Sequence, residues 1–115
     1  MPSDLKDAAP LWDMLDAARA ILDFIQEKNA EDYFRDRMLR GAVERHLEII
    51  GEAARRVSEP FQARHPEISW RRIIGLRNIL AHEYGEIKHE RIWDLVVQEI
   101  PELVRLLKVL VPSSD

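Results

Sequence analysis

A chain of 115 residues, 46% hydrophobic and 33% charged, is long enough to build one core and too short for two. Four glycines and six prolines are too few for a loop-rich or disordered chain, and the absence of cysteine excludes disulfides and thiolate chemistry. A net charge of −4 argues against a broadly basic nucleic-acid coat.

That charge is unevenly spread. Between Arg55 and Arg91 eight Lys/Arg stand against five Glu, and elsewhere nine stand against sixteen Asp/Glu. A local basic surface on an acidic body is one reading, and an ordinary salt-bridged helix surface is the other. The opening Met1-Pro2-Ser3-Asp4-Leu5-Lys6-Asp7 lacks the apolar core of a signal peptide. No stretch reaches the roughly eighteen uninterrupted apolar residues of a membrane span. The expectation is one soluble, cytoplasmic domain over residues 1–115.

In chain order, Leu11, Leu15, Ala18, Leu22 and Ile25 recur at spacings of four and three and predict a helix over 8–28, its stripe widened by Trp12, Met14 and Ile21. Asn29, with Glu31 and Asp32 behind it, predicts a cap on a short helix holding Tyr33 and Phe34. Leu39, Val43, Leu47, Ile50, Ala54 and Val57 mark a second long helix over 38–57, with Gly41 and Gly51 inside it. An interior glycine costs about 0.5–1 kcal/mol relative to alanine. At Gly51, beside Ala53 and Ala54, close approach of another backbone is a reason to accept that cost.

Ser58-Glu59-Pro60 predicts a cap with proline in the first turn of a short helix through Arg64, and His65-Pro66 ends it. Ser69 is expected to cap the next helix, whose apolar residues are Trp70, Ile73, Ile74, Ile79 and Leu80, with Gly85 as its stop. A last helix over 88–111 buries Ile92, Trp93, Val96, Val97, Ile100, Leu103, Val104, Leu107 and Leu110. Pro101 predicts a kink or restart near Glu99. Three long helices, one shorter helix and short connectors predict an all-α helical bundle.

The chemistry gathers in Arg77-Asn78-Ile79-Leu80-Ala81-His82-Glu83-Tyr84, where a helix runs out. Five residues turn through about 500° on an ideal helix, leaving Arg77 and His82 about 140° apart. An imidazole at the helix end is free to turn back toward the guanidinium, and Arg77 and Tyr84 nearly eclipse if helical winding persists. Asn78 and His82 are an i, i+4 pair, so the amide is placed to orient a ring nitrogen. An arginine fork recognises phosphate oxygens and a histidine moves protons near neutrality. The pair suits phosphodiester cleavage in RNA, where the 2′-hydroxyl is the nucleophile and no metal is needed.

Three fixed positions also arise by chance in helical proteins. The remaining histidines have blander explanations: His46 as a packed or surface residue in mid-helix, His65 at a turn and His89 at a helix start. No His/Asp/Glu grouping has metal-ligand spacing, so no metal or bound cofactor is expected.

From Leu47 to Asp94 the text is more specific. Leu47-Glu48-Ile49-Ile50-Gly51-Glu52-Ala53-Ala54, His65-Pro66-Glu67-Ile68-Ser69-Trp70, Ile74-Gly75-Leu76-Arg77-Asn78-Ile79-Leu80-Ala81-His82-Glu83-Tyr84 and Ile92-Trp93-Asp94 closely resemble the HepT-like branch of the HEPN families. The resemblance implies a HEPN-type bundle in a two-fold dimer, with both Arg/His pairs facing one cleft. It implies a metal-independent ribonuclease toxin of a toxin–antitoxin pair, acting on RNA such as tRNA or mRNA. Its partner would be a small nucleotidyltransferase of the MntA type, which uses ATP to place AMP on a tyrosine.

Arg77 and His82 then stand at the catalytic positions, Asn78 and Glu52 as supporting residues, and Tyr84 as the AMP acceptor. Trp12, Trp70 and Trp93, with many Ile and Leu, supply more apolar surface than a short bundle buries alone, a second reason to expect a dimer with the motif helices near its axis. Two other readings stay open. One is a non-catalytic HEPN module that binds a nucleotidyltransferase. The other is a scaffold in which Arg77 and His82 satisfy buried acids such as Glu52.

Overall fold

The computed structural model describes residues 2–111, and among these the regular elements are all helices. Residue 1 and residues 112–115 of the expected 1–115 unit lie outside the described residues. Helix α1 (Pro2–Ile25) starts well before the expected residue 8 and runs through Pro10, which sits in its interior rather than its first turn. Helix α2 (Ala30–Arg35) opens on a reciprocal box. The Asp32 N–H donates to the Asn29 side chain at 2.8 Å, and the Asn29 N–H donates back to the Asp32 carboxylate at 3.0 Å. Helix α3 (Arg37–Arg56) follows at once, its cap supplied by Asp36, whose carboxylate accepts the Leu39 N–H at 3.1 Å.

Helices α1 and α3 run antiparallel. Asp7 reaches Ser58, Asp13 pairs with Arg56, and Phe24 packs edge-on against His46. Their facing stripes form the centre of the core: Leu11, Met14, Leu15, Ala18 and Ile21 against Val43, Leu47, Ile50, Ala53 and Ala54. Burying each large side chain contributes roughly 1.5–3 kcal/mol. Helix α4 (Glu59–Arg64) begins as expected, with the Phe61 N–H donating to Ser58 Oγ at 3.3 Å and Pro60 in the first turn.

The fully buried Asp7 fixes this junction, accepting the Ser58 N–H and Ser58 O–H at 2.8 Å each. Ser58 thereby links two helices, a tertiary role that its local capping pattern did not disclose.

The expected motif helix is in fact two. Helix α5 (Trp70–Ile74) and helix α6 (Leu76–His82) are separated by Gly75, and the Ser69 side chain makes no capping bond. The cause lies on α3. A Cβ built at Gly51 would lie 3.1 Å from the Ile73 carbonyl oxygen, so the end of α5 is pressed onto the α3 backbone there. With Ile73 pinned, the chain turns at Gly75. The Gly75 N–H donates to the Arg71 carbonyl at 3.0 Å and the Asn78 N–H to the Gly75 carbonyl at 2.9 Å, the latter a tight i to i+3 bond.

Gly85 is not the stop of the motif helix. Glu83 ends α6 in an extended conformation (φ −98°, ψ 148°), Tyr84 is extended too, and Gly85 at φ +63° opens helix α7 (Gly85–Gln98), earlier than expected. The restart at Glu99 comes where Pro101 placed it, with Pro101 in the first turn of helix α8 (Ile100–Leu110). Two of the three tryptophans are absorbed by this bundle: Trp70 is buried with its Nε1–H donating to the His65 carbonyl at 2.9 Å, and Trp93 packs on Tyr33. Only Trp12 remains as surplus tryptophan surface. Among the described residues no helix is long and apolar enough to cross a membrane.

Candidate active site

Helix α3 buries one stripe and turns another outward: Gly41, Arg45, Glu48, Glu52 and Arg55, at spacings of four and three. The close contact at Gly51 lays the α5–α6 turn beside this stripe, which brings Arg77 to the same groove. The result is a groove of about 390 Å³ lined by Arg45, Glu48, Gly51, Glu52, Arg55, Ile74 and Arg77. A second hollow of about 310 Å³ continues it past Gly41, Glu44, Leu80 and Ala81, sharing Arg45, Glu48 and Arg77. Two other hollows, one between α6 and α7 and one between α5, α7 and α8, contain none of Arg77, Asn78, His82 or Tyr84 in their lining.

Arg77, Asn78 and His82 are exposed, and Tyr84 is 77% exposed. Among the described residues none of the four side chains makes a hydrogen bond or ion pair. Their neighbours do. Arg45 pairs with Glu48 at 3.4 Å, Lys88 with Glu44 at 3.0 Å, and Arg91 with Glu83 at the end of α6. The last two pairs fasten the turn that carries His82 and Tyr84, leaving the motif groups themselves free.

A family model described as "Ribonuclease HepT-like" matches residues 14–110. A Methanocaldococcus jannaschii protein named as a candidate RNase is 33% identical over 87% of this chain and 92% of its own length. A Caldanaerobacter subterraneus protein named in the same way is 33% identical over 88% and 90%. A Thermococcus cleftensis protein named as a probable ribonuclease HepT is 38% identical over 81% and 84%. The chain belongs to the HepT-like ribonuclease family. By family it is an endoribonuclease with an all-α, HEPN-type bundle. No solved structure matches the chain significantly.

For a HepT-like protein the arrangement is specific about what one protomer lacks. Helix α6 persists through His82, so the imidazole stays on the helical cylinder, about 140° round from Arg77. Among the described residues neither the Arg77 guanidinium nor the Asn78 amide is hydrogen-bonded to it. Tyr84 does not eclipse Arg77, because the chain leaves helical winding at Glu83. Glu52 is exposed on the groove wall, so the scaffold reading, in which the motif residues neutralise a buried Glu52, fails.

The other histidines divide. His46 is packed as expected, its Nδ1 2.8 Å from the Ala42 carbonyl. His65 ends α4, stacked on Phe61 and 3.2 Å from Glu67. His89 is not a solvated helix start. It lies in the second turn of α7 against Tyr33 and Phe34, with a buried, unpartnered Nδ1. Burial first, and Arg40 next, lower its pKa, while burial raises that of Tyr33 well above the usual phenol range. Among the described residues no three His, Asp or Glu side chains gather as metal ligands. Arg55 was not singled out from the sequence, although its place on the 45–48–52–55 stripe was a usable signal.

Proposed function

We propose that this HepT-like protein is the toxin of a toxin–antitoxin pair, a metal-independent endoribonuclease whose Arg77 and His82 act in the cleft of a two-fold dimer in the cytoplasm. The observation that carries this reading is the exposed, unpartnered set Arg77, Asn78, His82 and Tyr84 beside an arginine-lined groove. Arg77 holds the scissile phosphate and offsets charge building on its oxygens. The ribose 2′-oxygen attacks phosphorus, the P–O5′ bond breaks, and a 2′,3′-cyclic phosphate remains. One imidazole takes the 2′-hydroxyl proton, and a second, protonated imidazole gives one to the departing 5′-oxygen. One protomer has a single motif histidine, so a two-fold axis supplies the other.

The test is cleavage of RNA by purified protein in chelator. Arg77→Ala and His82→Ala should stay folded, since both residues are exposed, and lose at least ~100-fold in rate. Normal cleavage by His82→Ala would refute the assignment. The separation of Arg77 from His82 in one protomer also fits a second reading, a non-catalytic module that binds a nucleotidyltransferase; wild-type protein inert toward RNA would favour it.

Control belongs to Tyr84. Its exposed hydroxyl suits attack on the α-phosphorus of ATP bound to an MntA-type partner, forming a phosphodiester and releasing pyrophosphate and the phenolic proton. The attached phosphate would compete for Arg77 and silence cleavage. With the cognate nucleotidyltransferase, ATP and Mg²⁺, intact-mass spectra should show adenylyl addition to wild type and none to Tyr84→Phe. Equal modification of both would remove Tyr84 from this role.

A further inference from the structure

The groove holds three arginines, and they are not equivalent. Arg45 is engaged by Glu48 at 3.4 Å. Arg77 and Arg55 have no acidic partner among the described residues, although both line the same space of about 390 Å³. The nearby Arg56 and Arg72 are paired, with Asp13 and Glu99. Arg55 is therefore the one uncommitted cation in the groove besides the motif arginine. Its position is set by helix geometry, since residues 45 to 55 span about 15 Å along α3, with Arg77 lining the same groove from α6. The Glu52 carboxylate lines the same groove, one turn before Arg55 on α3, and repels a phosphate placed over it.

We infer that Arg55 is a second phosphate anchor, a positioning residue that holds a backbone phosphate flanking the scissile one on single-stranded RNA. This rests on the ribonuclease reading of the groove. Two free guanidinium groups in one groove admit a phosphate at each, and the Glu52 carboxylate on the same wall disfavours one placed over it. That fixes how the strand lies across α3. Because the Arg45 end is already neutralised by Glu48, the anchor is one-sided, and the strand is gripped on the Arg55 side of the cleavage point. The motif arginine acts on the reacting phosphate, and Arg55 acts only on its neighbour, so the two should separate by substrate length.

The experiment compares wild type, Arg55→Gln, Arg55→Lys and a control, Arg35→Gln, which removes the same charge from α2 outside the groove. Binding is measured with a labelled single-stranded RNA of about ten nucleotides, fully 2′-O-methylated so that it cannot be cut. Arg55→Gln should weaken binding by roughly 5–10-fold at low salt and flatten the log–log salt dependence by about 0.7, the share of one single-strand phosphate contact. Arg55→Lys should recover most of the loss, because a point charge serves a phosphate. Cleavage of a dinucleoside monophosphate, which has only the scissile phosphate, should be unchanged in Arg55→Gln.

Wild-type binding and salt slope in Arg55→Gln would overturn the inference. So would an equal loss in Arg35→Gln, or a dinucleoside cleavage rate that falls as far as that of the long RNA. A wild-type protein that cuts no RNA defeats the ribonuclease reading instead, and the binding comparison still judges Arg55.

Discussion

His89 shows how far one side chain can depart from its local pattern. Its place early in α7 reads as a solvated helix start, yet α2 folds over it and encloses Nδ1 beside the fully buried Tyr33. The sequence could not display this, because the contact joins segments more than fifty residues apart. The charged groups acting on the ring are Arg40 and Glu44 of α3 and Lys88 and Glu86 of α7, and burial outweighs each of them. The folded pKa lies below the ordinary 6.5 regained on unfolding. The unfolded chain therefore binds more protons as pH falls below that value, and stability, full above about pH 6.5, declines toward the folded pKa. Melting temperature should fall between about pH 7.5 and 5.5 in wild type, and fall less in His89→Gln. An identical decline in both proteins would show that carboxylates elsewhere control it.

At the scale of elements, the caps at Asn29 and Ser58 and the restart near Pro101 were legible, whereas the Ser69 cap and the Gly85 stop were not met and packing was not legible. Asn29, Ser58 and Pro101 act within a turn of their own positions, and the boundaries they predict are those observed. The split at Gly75 was hidden because its cause is the Gly51 contact on another helix. Gly51 itself was legible as a point of close approach, but what approaches it, the Ile73 carbonyl, was not. Gly51 sets the height of α5 on α3, and through Gly75 it places Arg77 over the groove. Gly51→Leu should therefore destabilise by ~1–3 kcal/mol through overpacking and reduce RNA cleavage even under conditions where the protein is fully folded. Denaturant unfolding and cleavage rates at low temperature separate the two effects. Undiminished activity in the folded variant would mean that α6 holds its place without this contact.

For the whole molecule, the motif was legible because a few spaced residues carry it, whereas the assembly it needs has no short signature. The tryptophan argument for a dimer weakens once Trp70 and Trp93 are seen to be absorbed by the bundle. A stronger argument takes its place. His82 is exposed, sits about 140° round α6 from Arg77, and has no partner among the described residues, while the proposed chemistry needs a proton acceptor and a proton donor together. Around it Tyr84 and Ile87, 77% and 66% exposed, offer surface that a second copy can cover. Light scattering at tens of micromolar protein, about the range where a specific interface holds, should give a dimer.

The decisive measurement goes further and mixes wild type with His82→Ala under conditions of subunit exchange. If both histidines serve one cleft, a mixed dimer is dead, and activity follows the square of the wild-type fraction. If each protomer cleaves alone, activity follows that fraction linearly. We expect the square. A linear dependence in a protein shown to exchange subunits would leave the dimer, if present, without a catalytic reason to exist.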